Sequence, residues 1–527
     1  VHFLSLTRRW SPALWAAAAF VLLGFSLSND SIDQMESQTW NYARLGTFGE
    51  FSRELRRDET SEPQKPLGLF SAWAWARAFG TREAAMRSLN LLWAAITLAA
   101  LARIGKQISI PWLPILFAIQ PFVWFSMNTA RTPIMEMAGG SLLLMGTIAC
   151  LERKPVDSLA GISLCLGAIL LSGASFLGLI PLAAVATGLT AHGLWNRLHW
   201  PRPGKIFLLI TSGLIAVLGI YYVARILRDG GGAQLWRVSP ANLCFVCYEF
   251  LGLQGVGPGR HVLRSIMKGF SNVRELLPLL PGLLVLLGAY LALFAAAAKS
   301  WLTRDPATGL AAAGNGKCGR TSASPQPALS ASSVSLFRVW LFGMGVSLQS
   351  AILLFVLALF TGVPFWGRHM GGAFPFWIVA LAIMIRWARQ GLWRKAGRRA
   401  EAVLLGLLLL SSLLVRFAPQ HGHDDYRGAA AEAVKLFSTG RTVWWVADYS
   451  GGAYYGLPLG TVQKTGQGEI LFAMNKTPGG GQLPDAIVIS RPDNFDSSGT
   501  VTNLLASGMY AKTKTLQAFE VWEKNMP

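Results

Sequence analysis

Apolar runs of about 20 residues, the length that crosses a bilayer core, recur along the first four-fifths of the chain, separated by polar stretches. The first follows a short basic head (Arg8, Arg9) and covers about residues 12–27. No small-residue cleavage site follows it and further runs do, so it reads as a retained helix with its N-terminus inside. Further runs follow at about residues 84–102, 110–127, 134–151, 159–171, 174–194, 205–223, 276–298, 336–360, 374–385 and 402–415. The pattern predicts an α-helical polytopic membrane protein with about eleven transmembrane helices.

The interruptions carry the rest of the organisation. Residues 28–67 form a polar, acid-bearing loop, in which 37–51 reads as an amphipathic helix on the membrane surface with Trp40 and Tyr42 at headgroup depth. Residues 66–79 are aromatic but short, as in an interfacial helix. A second long loop, 225–275, is polar and Gly-rich, and 299–335 (Ala, Ser, Gly and Pro without apolar period) reads as a flexible linker. Beyond residue 416 the pattern changes to a helix at 426–437 followed by the β-rich runs TVWWVAD, GEILFA, DAIVISR and KTLQAFEVWEK. These predict a small soluble α/β domain over 418–527, after a transmembrane domain over 1–417 with external loops 28–67 and 225–275. The C-terminal domain has neither GxGxxG after a strand nor GK[ST], so no nucleotide is assigned to it.

Composition supports the membrane reading. Only 14% of residues are charged, against roughly 25% in soluble domains. The net charge of +20 follows in part from Lys and Arg in the loops on the N-terminal side, as the positive-inside rule expects. An odd number of spans then puts the C-terminal domain outside. The opposite loops nevertheless carry Arg53, Arg56, Arg57, Lys65, Arg225, Arg228, Arg237, Arg260, Arg264, Lys268 and Arg368, and cations kept where topology disfavours them point to an anionic partner. Nucleic acid is excluded, because the cations are scattered among spans. Cys244 and Cys247 form a lone CxxC, too little for a metal site and sufficient for a local disulfide if the loop is external.

Candidate chemistry clusters in the first loop. Asp30, Asp33 and Glu36 lie just beyond the first span, and Asp33 and Glu36 share a helix face. A carboxyl at the membrane surface near apolar helices is expected to have a raised pKa, which suits a general base; the same residues also suit helix caps. Lys65, between Pro63 and Pro66, sits where an ammonium meets a phosphate or anchors at the headgroups. Arg87 stands near the external end of the second span, and Arg131 and Glu136 flank the start of the fourth, where they would also satisfy one another as a pair. Arg260, Arg264 and Lys268 have the i, i+4, i+8 spacing that gathers cations on one helix face, for a diphosphate or for anionic lipid. Arg368 and His369 form a further basic pair.

In the order of these features, over about residues 10–420, the chain resembles the GT-C membrane glycosyltransferases that use polyprenyl-phosphate sugars, the class of the protein O-mannosyltransferases and lipid A aminoarabinose transferases. The acidic motif after the first span is followed by Ala43, Gly46 and Phe48, then by Gln64-Lys65-Pro66-Leu67, similar to the family's KPPL. Phe79-Gly80 with Arg87, then Arg131, then Arg368-His369 before Pro375, and the C-terminal domain opening on HDDYRGAA complete the likeness. The family's Asp-Glu pair stands here as Asp33-Gln34. The resemblance implies transfer of a sugar from a polyprenyl-phosphate donor to a glycan, lipid or protein acceptor on the extracytoplasmic side. It implies Asp33, with Asp30 in reserve, as the catalytic acid, and Lys65, Arg87, Arg131 and Arg368 as donor-phosphate contacts. Glu36, Glu136 and His369 are further polar candidates. No cofactor is required and no metal-ligating cluster calls for a divalent ion. The setting expected is a bacterial inner (plasma) membrane, with membrane lipid as a partner and the active site and C-terminal domain facing the periplasm. The alternative is a transporter or flippase of a lipid-linked saccharide, which would show repeated halves with broken helices; no such repeat is visible.

Overall fold

A computed structural model describes residues 11–151, 158–196, 202–229, 238–259, 262–263, 277–302, 336–362, 365–390, 393–459, 469–473 and 483–525, with backbone alone at 192–196, 202–208 and 229. By its packing the chain divides into two units: residues 1–26, 90–127 and 132–415, and residues 27–89, 128–131 and 416–527.

The first unit is helical. Among the described residues of the whole chain, seven helices are long and apolar enough to cross a membrane: Glu83–Gln107, Pro133–Leu151, Leu209–Arg228, Leu277–Leu302, Leu336–Thr361, Gly367–Ala388 and Arg394–Phe417. Shorter apolar helices cover Pro12–Ser26, Ser158–Ala174, Phe176–Ala191 and Ala241–Phe250. Two kinds of surroundings separate them. Pro133–Leu151 and Gly367–Ala388 are 89% buried, whereas Leu209–Arg228 is 17% buried and bares Leu209, Ile220 and Leu227. An apolar helix with bare large side chains needs a non-aqueous solvent to face. The central helices approach closely through small residues. A Cβ on Gly140 would lie 2.1 Å from the Gly372 carbonyl oxygen, and one on Gly167 2.7 Å from that of Gly139. Gly140→Ala is therefore expected to cost about 1–3 kcal/mol through overpacking, read as a lower midpoint of thermal unfolding of the detergent-solubilised protein.

The run at 110–127 departs from expectation. It is not one span but two short helices, Leu113–Ala118 and Pro121–Met127. Pro121 has no N–H to continue the first helix and its fixed φ suits the first turn of the second. Gln120, at the break, turns its side-chain amide back to the Leu116 carbonyl at 3.1 Å. Cys244 and Cys247 are separate thiols on the Ala241–Phe250 helix, without the disulfide the sequence allowed.

The second unit joins three helices of the first loop to the C-terminal segment. The amphipathic helix expected over 37–51 is instead two helices, Gln34–Ala43 and Phe48–Arg57. Thr47 starts the second with a capping box: its hydroxyl accepts from the Glu50 N–H, and Glu50 reaches back to the Thr47 N–H. Pro66–Phe79 forms as expected and ends at Gly80, whose φ of 85° is a glycine conformation. Tyr42, Phe51 and Leu69 pack these helices together. In the C-terminal segment, β1 (Val443–Val446), β2 (Ile470–Phe472), β3 (Ala486–Ser490), β4 (Tyr510–Leu516) and β5 (Phe519–Lys524) form a sheet of order β2-β1-β3-β5-β4. β1 is parallel to β2 and β3, and β5 antiparallel to β3 and β4. The Tyr426–Ser438 helix buries Ala429, Ala433 and Leu436 against Trp445, Val488 and Val521 on one face. Phe495, Val501 and Trp444 fill the other. The last β-rich run is a hairpin, not one strand, because Ala518 takes a left-handed turn conformation (φ 64°).

Candidate active site

Asp33 begins the Gln34–Ala43 helix. Its Oδ1 accepts from the N–H groups of Met35 and Glu36, both at 2.8 Å, and Glu36 Oε2 accepts from the Asp33 N–H at 3.1 Å. The cap and the candidate catalytic acid are therefore one residue, since a capping box leaves the second carboxylate oxygen of Asp33 outside the cap. Glu36 is buried with Arg87, their side chains 1% and 0% exposed. Arg87 Nε donates to Glu36 Oε1 at 2.8 Å and Nη2 to Oε2 at 2.7 Å. Its other donors go to the carbonyls of Ser28, Asp30 and Ser31. The Ala130 N–H completes Glu36 at 2.8 Å. All five N–H groups of a guanidinium are thus engaged, and Arg87, expected as a phosphate contact, shapes the loop that holds Asp33.

A second cluster follows along the same loop. Glu62, which the sequence reading passed over, accepts from Lys65 Nζ at 2.9 Å and from Arg131 Nη1 at 2.7 Å. Arg131 also donates to the Met35 carbonyl at 2.7 Å, so it pairs with Glu62 and not with Glu136. Burial alone would raise the Glu62 carboxyl, but Arg131 and Lys65 outweigh it and hold it below the usual range. Two cations sharing one carboxylate leave a net positive charge beside Asp33.

The C-terminal segment supplies groups that no local pattern announced. His423 Nδ1 lies 3.6 Å from Glu36 Oε2. Arg491, just past β3, forms an ion pair with Asp424. Asp448, just past β1, accepts from the Ser37 hydroxyl at 3.0 Å while capping the Tyr449–Tyr454 helix. Tyr455 accepts from the Ile32 N–H at 3.0 Å, and Asn41 donates to Ser450 at 2.7 Å. These bonds hold the first loop and the C-terminal segment in one unit.

The electrostatics of Asp33 reverse the expectation. Burial would raise its carboxyl, yet His423, the Glu36 backbone N–H, Arg131 and Arg491 together hold it below its ordinary value. Asp33 is a persistently ionised carboxylate, suited to orienting a hydroxyl and stabilising positive charge. Asp448 moves the other way: burial raises it, over the opposing bonds from Gly451, Ser37 and Ser450, with Asp33 adding repulsion. A carboxyl raised in the fold costs stability wherever it is ionised. Asp448→Asn, which keeps the cap, is therefore expected to stabilise the protein at pH 7. The gain disappears once pH falls below the unfolded carboxyl value of about 3.9, as chemical denaturation at both pH values would read.

The remaining candidates are dispersed. The Asp30 carboxylate is 44% exposed and lies 3.7 Å from Arg416 Nη1. Glu136 is buried in the first unit, accepting from the Thr132 hydroxyl at 3.2 Å. His369 Nδ1 accepts from the Trp366 N–H at 3.2 Å, and Arg368 stands beside it in the Gly367–Ala373 turn. Arg260 and Arg264 lie outside the described residues.

Asp33, Glu36 and His423 place potential ligand atoms within 4.8 Å of one another, a grouping absent from the linear sequence. The Glu36 oxygens, however, already accept from Arg87, Ala130 and Asp33. A cation there would compete with a buried guanidinium for Glu36, leaving Asp33 and His423 of the three.

No family profile matches the chain, and no curated protein does. Among solved structures the chain is similar to ArnT. The crystal structure of ArnT from Cupriavidus metallidurans in the apo state is 13% identical with a TM-score of 0.39, over 97% of each chain. That of the same ArnT bound to undecaprenyl phosphate is 12% identical with a TM-score of 0.41, again over 97% of each. At this level the likeness to ArnT carries no argument about chemistry, which rests on the residues of the site itself.

Proposed function

We propose that the protein is a membrane glycosyltransferase that moves a sugar from a polyprenyl-phosphate donor to an acceptor hydroxyl on the extracytoplasmic side. The observation that carries this is the Asp33 carboxylate, held by its cap close to the Lys65–Glu62–Arg131 cluster, in a chain with seven helices, among the described residues, long and apolar enough to cross a membrane. The acceptor oxygen attacks the anomeric carbon, the bond from that carbon to the phosphate oxygen breaks, and polyprenyl phosphate leaves with the electron pair. Asp33 orients the hydroxyl and stabilises the positive charge on its oxygen as the new bond forms, and the proton passes to water. Lys65 and Arg131 stabilise the charge gathering on the departing phosphate. Their attachment to Glu62 fixes both cations before substrate arrives, so little reorganisation is needed in the transition state.

The test is to incubate the protein in lipid vesicles with a polyprenyl-phosphate hexose and an envelope extract, and to follow free polyprenyl phosphate and glycosylated product by mass spectrometry. Covalent product supports transfer. Movement of the intact lipid-linked sugar across vesicles without product would replace this reading with that of a flippase.

A further inference from the structure

We propose that Arg491 is a positioning residue for the transfer: paired with Asp424, it fixes the turn carrying His423 against Glu36 and Asp33. The inference rests on the glycosyltransferase reading and adds a residue to it.

Three features of Arg491 each work against stability. Its backbone is left-handed (φ 42°, ψ 70°), a conformation that costs a residue with a Cβ free energy and a glycine almost none. It precedes Pro492, whose ring further restricts the residue before it. Its guanidinium is largely enclosed, and the buried Nε makes no hydrogen bond among the described residues. Strain of this kind persists where the surroundings impose it, and it gathers at working sites.

The surroundings of Arg491 are those of the site. It leaves the carboxyl end of β3, beside the carboxyl end of the parallel strand β1, which leads to Asp448; such strand ends are where α/β sheets carry their ligands. Its partner Asp424 is 4% exposed and lies between His423, which faces Glu36 at 3.6 Å, and Asp425, which caps the next helix by accepting from the Gly428 N–H at 2.8 Å. Two residues on from Asp425, Arg427 donates its N–H to Ser31 Oγ at 3.0 Å. Segment 423–427 is thus held at both ends, and Arg491 is the clamp at the end nearest Asp33. Its charge also reaches the Asp33 carboxylate directly, as one of the cations that keep it ionised.

The experiment separates positioning from plain structure. Arg491→Gly relieves the backbone, and Asp424→Asn in the same chain avoids a stranded carboxylate. Compared with Asp424→Asn alone, the double variant is expected to melt at the same or a higher temperature. Its kcat for a polyprenyl-phosphate hexose should fall by about 10²-fold, the cost of a small misplacement, with KM for the donor unchanged. Arg491→Lys, which keeps the cation, should recover part of the loss. A fall in melting temperature that tracks the lost activity would make Arg491 structural and overturn the proposal, as would an undiminished kcat in a double variant whose wild type is active. A wild type that turns over no such donor sinks the glycosyltransferase reading and this proposal with it.

Discussion

Replacing Asp33 with Asn is expected to lower kcat by about 10²–10³-fold, the usual worth of a preorganised electrostatic contact to the transition state, while leaving the protein folded. The reasoning depends on the double duty of this side chain. As a cap, Asp33 accepts from Met35 and Glu36 through Oδ1, and Asn does this as well as Asp. As a charge, it faces His423, Arg131 and Arg491, and Asn cannot replace that. Asp33→Ala loses both, with a further penalty of about 0.5–2 kcal/mol for the missing cap. A comparison of the two variants by thermal unfolding and by initial rates of sugar transfer therefore isolates the chemical part. An Asn variant that transfers sugar at the wild-type rate would remove Asp33 from the reaction.

The same substitution has a pH signature. The Asp33 carboxyl lies below its ordinary value in the folded protein, so its contribution to stability is full above the unfolded value of about 3.9 and is lost as pH falls through the folded value. Wild type should be the more stable of the pair at neutral pH, and the difference should close in strong acid.

Parts of this arrangement were legible along the chain. The Pro66–Phe79 helix and the positions, though not the ends, of the long apolar helices follow from the apolar runs, and the first-loop acids and Lys65 stood out as polar residues between apolar segments. The break at Ile119-Gln120 was hidden because the hydrophobic run continues through it, and only Pro121 marks it. Arg44–Thr47 was read through for the opposite reason: the amphipathic period continues in phase while Thr47 and Glu50 start a new helix. Glu62 looked like one more acid in a charged loop until Lys65 and Arg131 were seen to share it. His423, Asp448 and Arg491 could not be found by spacing, since the turn before the Tyr426–Ser438 helix and the ends of strands β1 and β3 bring them to the first loop from far along the chain. The direction of the Asp33 shift failed for the same reason: the side chains that set it, His423, Arg131 and Arg491, are distant in sequence.

The largest effect on stability is expected at Arg87. Arg87→Met would strand Glu36, a carboxylate only 1% exposed, and breaking a buried pair from one side typically costs about 3–5 kcal/mol. The carbonyls of Ser28, Asp30 and Ser31 would lose their donor in the same step. Adding Glu36→Gln removes the stranded charge, so the double variant should be more stable than Arg87→Met alone. The resulting non-additivity, read from a double-mutant cycle of unfolding free energies, measures the pair itself. A cost below about 1 kcal/mol for Arg87→Met, the size of an exposed ion pair, would mean that the loop does not depend on it. Because the bonds of Arg87 fix the chain on both sides of Asp33, transfer should fall in Arg87→Met and return only in part in the double variant. Gln at position 36 can still accept the Ala130 N–H, but the carbonyls of Ser28, Asp30 and Ser31 lose the guanidinium that gathers them into the turn that presents Asp33.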